Sequence, residues 1–298
     1  MEAIDFSCKH DILIRRPDGE LAPMDEPRYD VTEIAPGTWQ IMSVGDFHYL
    51  LAGEDEGIAI DTGYGAGNLR EFLEGLCGKP VRCVINTHDH FDHTANNCYF
   101  DLAIMSEVSA PLATLPFPSF AGIDFPRDYP IRTVRGGDTV KLRGRDLQIF
   151  DLHDHTLGGI AILDRKQRLL FTGDEIQPGG KNFNGPVSDF LRGLEPIMAY
   201  RNEFDRICCG PGVESAEAID VVFEACKRII SGEGSDSSGF HAPFHIPAPP
   251  QEHEGHVVYD CQPPRPQDIN GGKPIVPRTG TEVIMYRGRR FEYDPKLK

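Results

Sequence analysis

The six residues from His88 to His93, HDHFDH, carry three histidines and two aspartates. Imidazole and carboxylate groups together are typical ligands of zinc, manganese and iron(II). On a tightly turned segment, His88 and His90 can face one cation while Asp92 and His93 face a second one nearby. Unpaired charge is costly to bury, so such a cluster needs a partner. The residue types and their spacing therefore predict a metal site that holds one or two ions.

The segments that lead to this cluster predict a strand, a helix and a second strand. GIAIDTGYG (57–65) is an apolar strand that ends in an Asp-Thr-Gly turn, and NLREFLEGL (68–76) has the apolar spacing of a helix face. Gly78 and Pro80 end that helix, and VRCVIN (81–86) leads directly into the histidines. The cluster therefore follows the carboxyl end of a strand, where ligand sites of α/β sheets commonly lie.

The middle of the chain predicts a second set of strands and helices. Hairpins are expected over residues 139–155 and 159–175. A strand at 206–210 precedes a helix over 215–232, for which Ser215 is the expected cap. Because each half combines strands with covering helices, we predict an α/β fold, a four-layer αββα sandwich.

The composition changes after the second long helix. The segment from Gly232 to Pro277 is dense in Gly, Pro and Ser and has no helical period, which predicts an irregular course over the surface. EVIMYRGRRFEYD (282–294) predicts a closing hairpin. We therefore predict an α/β domain over residues 1–231 and a Pro/Gly-rich extension over residues 232–298 that packs on the same domain.

Charge and composition exclude several classes of function. The 298 residues include 46 acidic and 30 basic side chains, and the formal charge of −16 repels a phosphate backbone and an anionic membrane surface. The sequence has no apolar run long enough to span a membrane and no basic start followed by an apolar core of a secretory signal. Eight cysteines without a C-x-x-C pair favour reduced thiols. We expect a cytoplasmic protein that binds neither nucleic acid nor membrane.

The ordered motifs resemble those of the metallo-β-lactamase superfamily. THDHFDH matches the H-x-H-x-D-H signature, and AIDTG (59–63), DHTLGG (154–159) and LFTGDE (170–175) occur in the family's order. The resemblance covers roughly residues 35 to 230. It implies an αββα sandwich of the metallo-β-lactamase type with the metals at one edge.

The resemblance also implies a set of ligands and a cofactor. The first metal would be bound by His88, His90 and His155, and the second by Asp92 and His93. Asp174 would bridge the two metals. Asp61 would then tie the ligand loop without binding a metal itself. The family places its ligand directly before the Thr-x-Gly turn, which selects His155 over His153. We expect Zn²⁺, two ions per chain, with iron or manganese as alternatives.

This chain departs from the family at Pro211. The superfamily usually supplies one more ligand to the second metal, a histidine in a Gly-His-Gly turn, whereas Pro211 is at the centre of the matching GPG. Proline has no donor atom, so either one metal binds or another residue completes the second site. The histidines of the extension are His241, His245, His253 and His256. Among these, we predict that His241 supplies the missing ligand of the second metal, with His245 as the next choice. A partner subunit of a homo-oligomer could also supply this ligand.

The leading hypothesis is a metal-dependent hydrolase that acts on a small molecule. A hydroxide acidified by the metal would attack the carbonyl carbon of an ester, thioester, lactone or lactam. Asp92 would orient the hydroxide and move its proton, and Asp174 would hold the metals. Phe117, Phe120 and Phe183 lie in loops that we expect to line an apolar substrate pocket.

Two other classes of function are open. A sulfur dioxygenase of the same superfamily would use one iron, held by two histidines and one carboxylate, which His88, His155 and Asp174 can supply. A binding protein on a decayed site is opposed by the intact ligands. Within the hydrolases, the hydroxyacylglutathione hydrolase branch is disfavoured because the predicted extension lacks the helices that this branch adds.

Overall fold

The computed structural model describes residues 12–16, 18–23, 29–43, 46–63, 65–115, 127–210, 212–237, 251–260 and 278–298. The chain forms two compact units. The first unit comprises residues 1–134, 141–145 and 247–263, and the second comprises residues 135–140, 146–246 and 264–298.

The strands in the first half of the chain are β1 (Ile12–Arg15), β2 (Leu21–Pro23), β3 (Asp30–Ala35), β4 (Thr38–Ser43), β5 (Asp46–Ala52), β6 (Gly57–Ile60), β7 (Val81–Ile85), β8 (Leu102–Ser106), β9 (Ile131–Val134), β10 (Thr139–Leu142) and β11 (Arg145–Asp151). Those in the second half are β12 (Ile160–Asp164), β13 (Leu169–Gly173), β14 (Gly180–Asn182), β15 (Arg206–Cys209), β16 (Gly212–Ser215), β17 (Gln251–His253), β18 (His256–Asp260), β19 (Glu282–Tyr286) and β20 (Arg289–Tyr293). The α-helices are α1 (Leu69–Cys77), α2 (Phe91–Thr94), α3 (Ser109–Ala113), α4 (Val187–Met198) and α5 (Glu217–Ser231). None of these helices is long and apolar enough to cross a membrane.

The first unit is built on a mixed sheet with the strand order β3-β4-β5-β6-β7-β8-β9. Neighbours from β3 to β6 are antiparallel, and neighbours from β6 to β9 are parallel. Leu69 and Leu73 of α1 pack in one apolar core with residues of the sheet. The parallel neighbours β6 and β7 end at the same edge, so the Asp-Thr-Gly turn after β6 lies beside the histidine cluster after β7.

The boundaries of α1 confirm the predicted helix. The Asn68 side chain accepts a hydrogen bond from the backbone N–H of Glu71, which satisfies one of the donors left open in a first helical turn. Gly78 ends the helix with a φ of 66°, a left-handed conformation that glycine adopts at little cost. Both ends are thus determined by local residues.

The second mixed sheet has the strand order β10-β11-β12-β13-β15-β16. The strands β11, β12 and β13 are antiparallel neighbours, β13 and β15 are parallel, and β15 and β16 are antiparallel. The helices α4 and α5 pack against it through Phe190, Leu194, Ile219 and Val222, which are almost completely buried in one apolar core. Both predicted hairpins are confirmed. No described cysteine forms a disulfide.

The start of α5 corrects one expectation. Ser215 is the last residue of β16, a strand that was not predicted, and the N-cap of α5 is Ala216. The Ser215 hydroxyl still accepts a hydrogen bond from the backbone N–H of Glu217, at 3.3 Å. The prediction therefore found the capping side chain and missed the antiparallel pairing with β15 that holds Ser215 in a strand.

The C-terminal extension contains strands that join earlier parts of the chain. Residues 232–277 were predicted to be irregular, which is wrong for Gln251–Asp260, where β17 and β18 form a hairpin and β18 pairs with β1. The closing hairpin of β19 and β20 is confirmed, and β20 pairs in parallel with β14. The division into a domain over 1–231 and an extension over 232–298 stays a prediction.

Candidate metal centre

Asp61 joins the turn after β6 to the histidine loop. The residue is buried and has a φ of 58°, a left-handed conformation that is uncommon outside glycine. Its carboxylate accepts hydrogen bonds from the backbone N–H and the hydroxyl of Thr87, both at 2.7 Å, and lies 2.9 Å from His93 Nδ1. These three contacts offset the backbone strain. As predicted, Asp61 ties the ligand loop.

The same contacts determine which nitrogen of each imidazole can coordinate a cation. Thr87 has a single hydroxyl proton, which it donates to Asp61, so it accepts from His88 Nδ1, which lies 3.0 Å away. The ionised Asp61 likewise accepts from His93 Nδ1. Both histidines therefore carry their proton on Nδ1 and present the lone pair of Nε2 to a ligand, the arrangement that supporting carboxylates commonly impose on metal-binding histidines.

The histidine side chains of the first unit lie close together. The ring centroid of His88 lies 4.7 Å from that of His90 and 4.0 Å from that of His93. One donor nitrogen of His88 also lies within 4.8 Å of a donor nitrogen of each of the other two. The neutral imidazole is the form that binds metals, and three neighbouring rings offer several nitrogen donors.

Asp92 and His93 have a separation suited to a shared cation. Asp92 Oδ2 lies 3.8 Å from His93 Nε2, and the Asp92 side chain is 26% exposed. Two ligands that each lie about 2.1 Å from one tetrahedral zinc are about 3.4 Å apart. Asp89 has a different environment, because its carboxylate accepts a hydrogen bond from the Ser109 hydroxyl at the start of α3, at 3.0 Å.

His48 is a further buried histidine of the first unit. It lies on β5, is 1% exposed, and within the described residues neither of its ring nitrogens has a hydrogen-bond partner. Burial, and secondarily the electrostatic influence of the neighbouring His93 ring, lower the pKa of His48 to about 3. His48 is therefore neutral at ordinary pH. His48 was not among the predicted site residues; the available signal was a polar ring within the apolar strand FHYLLA.

In the second unit, His155 and Asp174 form a pair with similar spacing. His155 follows β11, Asp174 follows β13, and His155 Nε2 lies 3.6 Å from Asp174 Oδ2. Both side chains are partly accessible, at 31% and 17% exposure. His153 is exposed, in agreement with the expectation that it lies at the surface.

Glu175 and Lys181 support the turn that carries His155. Glu175 Oε1 accepts hydrogen bonds from the backbone N–H groups of Asp154 and His155, both at 2.8 Å. Lys181 Nζ lies 2.8 Å from Glu175 Oε2 and 3.0 Å from Asp154 Oδ2. Burial by itself would lower the pKa of Lys181, but Glu175 and Asp154 outweigh it and raise that pKa, so the amine is charged. The sequence offered no local signal for this cluster.

Gly210 leaves the space that Asp174 occupies. A Cβ added to Gly210 would overlap Asp174 Oδ1, so no larger residue fits there without displacing the carboxylate. The backbone N–H of Gly210 donates to the carbonyl of Gly173, at 3.1 Å, and this contact joins the ends of β13 and β15. Pro211, which follows, lies outside the described residues.

The remaining predicted site residues either lie outside the described residues or have no contact that indicates a role in a site. His241, His245, Phe117 and Phe120 lie outside the described residues. Phe183 is 3% exposed and belongs to the apolar core of the second unit, where its ring centroid lies 5.7 Å from that of Phe190. This packing accounts for Phe183 without a substrate, and its predicted substrate contact stays a prediction. In the extension, His253 is exposed and His256 is partly buried.

The donor groups fit a divalent metal. Imidazole nitrogens and carboxylate oxygens are the ligands of zinc, manganese and iron(II), and the tautomers imposed by Asp61 and Thr87 direct nitrogen lone pairs outward from their supports.

Comparison with known families identifies the class of protein. The family model of the metallo-beta-lactamase superfamily matches residues 48–207, more than half of the chain. The chain belongs to this superfamily, as the four motifs predicted. The matched region contains the histidine loop, His155 and Asp174.

Individual curated proteins are related to this chain at low sequence identity. The chain is 27% identical over 182 residues to the acyl-coenzyme A thioesterase MBLAC2 of Gallus gallus, an alignment that covers 50% of this chain and 65% of the relative. It is 33% identical over 167 residues to a hydroxyacylglutathione hydrolase of Hyphomonas neptunium, covering 55% of this chain and 61% of the relative. The chain thus spans less than two thirds of the length of these curated relatives.

A solved structure supports the fold class. The metallo-beta-lactamase FIM-1 of Pseudomonas aeruginosa, in its mono-zinc form, resembles this chain with a TM-score of 0.55 at 18% identity. The likeness covers 69% of this chain and 97% of the other. The predicted α/β fold of the metallo-β-lactamase type is confirmed.

Proposed function

We propose that this protein is a metal-dependent hydrolase that cleaves thioesters of small molecules. The observation that carries the proposal is the loop His88–His93, in which Thr87 orients His88 and Asp61 orients His93 for metal binding. The names of two relatives, a thioesterase and a hydroxyacylglutathione hydrolase, favour the thioester among the carbonyl substrates. The absence of helices from the predicted extension argued against the hydroxyacylglutathione hydrolase branch, but the alignment to that relative covers 55% of this chain.

We propose one metal centre with the ligands that the family resemblance implies. Its ligands are His88, His90 and His155 for the first ion, Asp92 and His93 for the second, and Asp174 as the bridge. The support is the order of the motifs within one family match, together with the within-unit spacings of Asp92 to His93 and His155 to Asp174. Zinc, two ions per chain, suits this nitrogen-rich set.

The protein side chains then have separate tasks. A bound divalent cation supplies water acidified near neutral pH and a Lewis acid for the carbonyl oxygen. Asp92, partly exposed beside His93, accepts the proton that the attacking water releases. Asp61 holds His93 in one tautomer throughout.

The test measures metal content and hydrolysis together. Protein purified without added metal is analysed for its elements and assayed on a thioester, an oxygen ester and a lactam with matched acyl groups. Two zinc ions per chain with preferential thioester cleavage support the proposal. One iron per chain with oxygen consumption on a persulfide would instead establish the sulfur dioxygenase alternative.

A pair of aspartate variants sharpens this test. Asp174→Asn keeps the shape of the side chain and removes the charge, so it should lower kcat at least 100-fold while the protein stays folded. Asp189→Asn is the matched control, because Asp189 is 51% exposed and pairs with Arg192 on α4. Equal kcat values for Asp174→Asn and the wild type would refute the proposed bridge.

We also retain His241 as the proposed last ligand of the second metal, because Pro211 has no donor atom. His241→Ala should reduce zinc from two ions to one per chain. His253→Ala, at an exposed position on β17, is the control and should keep both. Two zinc ions bound as tightly by His241→Ala as by the wild type would exclude this assignment.

A further inference from the structure

Lys181 connects three turns of the second unit. Its Nζ lies 2.8 Å from Glu175 Oε2, 3.0 Å from Asp154 Oδ2 and 3.2 Å from the carbonyl oxygen of Glu175. The three side chains are 3% to 5% exposed. All three protons of the ammonium thus have an acceptor, and a charged group at this depth is stable only with such complete pairing.

The two carboxylates extend this network to backbone groups. Glu175 Oε1 receives the N–H groups of Asp154 and His155. Asp154 Oδ1 receives those of Asn184, at 3.0 Å, and Gly185, at 2.8 Å. One ammonium therefore holds the turn before His155, the turn after Asp174 and the loop at 184–185 in a single arrangement.

Asp154 and Glu175 connect the network to the proposed metal ligands, because each is the direct neighbour of one ligand in the sequence. Asp154 directly precedes His155, and Glu175 directly follows Asp174. A shift of either carboxylate moves the backbone of its neighbour, and the observed separation of His155 Nε2 and Asp174 Oδ2 is 3.6 Å. Without the cation, two buried carboxylates would face each other and separate, because like charges repel strongly in a medium of low polarity.

We propose that Lys181 is a positioning residue of the metal centre, which sets the distance between His155 and Asp174 through Asp154 and Glu175. This inference rests on the proposed metal centre. Residues that orient metal ligands typically change metal affinity or activity by about 10- to 100-fold when they are replaced.

The test compares two lysine variants and one glutamate variant. Lys181→Met keeps most of the side-chain volume and removes the charge. Lys227→Met is the control, since Lys227 is 48% exposed on α5 and pairs with Glu224 across one turn. Glu175→Gln keeps an oxygen for the backbone N–H groups and weakens the link to Lys181, which provides a milder variant if Lys181→Met does not fold.

Three quantities are measured for each protein: the dissociation constants of zinc by chelator competition, the visible absorption spectrum of the Co²⁺-loaded form, and the Tm of the metal-free form. We expect Lys181→Met to weaken the tighter zinc site about 10- to 100-fold and to change the Co²⁺ spectrum. Glu175→Gln should change the zinc affinity and the Co²⁺ spectrum in the same direction, but to a smaller extent. Lys227→Met should leave the zinc affinity and the Co²⁺ spectrum unchanged.

Two results would overturn the inference in distinguishable ways. If Lys181→Met and Glu175→Gln lower only the Tm of the metal-free form, and zinc affinity and Co²⁺ spectrum match the wild type, Lys181 has a purely structural role while the proposed function stands. If the wild type binds neither zinc nor Co²⁺, the proposed metal centre fails, and the positioning role fails with it.

Discussion

His93 Nδ1 lies 2.9 Å from Asp61 Oδ2, and both side chains are at most 4% exposed. Asp61 accepts two further hydrogen bonds from Thr87, so a single carboxylate determines the geometry of the loop and the tautomer of one of its histidines. A residue that binds no metal in our proposal therefore controls how the ligands are presented.

The first prediction concerns Asp61→Asn. Asparagine tolerates the left-handed backbone of this position, so the fold should be kept. Its single amide oxygen cannot replace both carboxylate oxygens, of which one accepts from the Thr87 backbone N–H and the other from the Thr87 hydroxyl and His93 Nδ1. The histidine loop therefore loses part of its support, and we expect zinc affinity at the second site to fall about 10- to 100-fold. Chelator competition measures the change. An unchanged affinity would show that Asp61 does not act through His93.

The second prediction concerns His88→Ala. Ligands that bind only the native state stabilise it, by about 4 kcal/mol at a free concentration 1,000 times the dissociation constant. The Tm of the wild type should therefore rise when zinc is added, and that of His88→Ala should rise much less. Calorimetry with and without zinc provides the comparison. A variant with full metal content and the full rise in Tm would contradict the ligand assignment.

The third prediction concerns Gly210→Ala. The added methyl group would overlap the Asp174 carboxylate, so we expect displacement of Asp174, loss of bound metal and a cost of about 1–3 kcal/mol in the free energy of unfolding. Gly234→Ala is the matched control, because its Cβ would meet nothing within 4 Å. The metal content and the free energy of unfolding in denaturant are measured for both variants. Equal values for Gly210→Ala and Gly234→Ala would refute the predicted displacement of Asp174.

The fourth prediction concerns Glu292 on β20. Burial by itself would raise the pKa of Glu292, but hydrogen bonds from Thr281, Arg290 and the backbone of Arg278 outweigh it and lower the pKa to about 2. A depressed pKa contributes stability above the unfolded-state value near 4.5, and this contribution is lost as the pH falls towards 2. The shift corresponds to about 3 kcal/mol.

Glu292→Gln removes this titration, so its unfolding free energy should be lower at pH 7 and should fall less between pH 4.5 and pH 2 than that of the wild type. Urea titrations over this range measure both effects. Glu224→Gln, at a half-exposed site on α5, is the control. An equal fall in unfolding free energy between pH 4.5 and pH 2 for the wild type and Glu292→Gln would contradict the prediction.

Local signals in the sequence were enough for several elements. The helix α1 was predicted with its end, because Gly78 acts on backbone groups within a few residues of itself. Asn68, which caps the start of α1, acts over an equally short range, although it was not predicted as the cap. The closing hairpin was predicted for the same reason, since Arg287 and Gly288 form its turn with left-handed backbones. Ser215 was misassigned because nothing in the local sequence indicated its pairing with β15, which makes it the last residue of a strand.

The sequence by itself determined the superfamily, because four motifs occur in the order of that family, and it indicated that Asp61 ties the histidine loop. The ligand residues that these motifs imply stay a prediction. Only the tertiary structure decided that β18 pairs with β1, that β20 pairs with β14, and that Lys181 is buried between Asp154 and Glu175. These contacts join segments distant in sequence or depend on burial. A lysine is ordinarily exposed, and nothing in GGKNF indicates that two carboxylates will enclose this one.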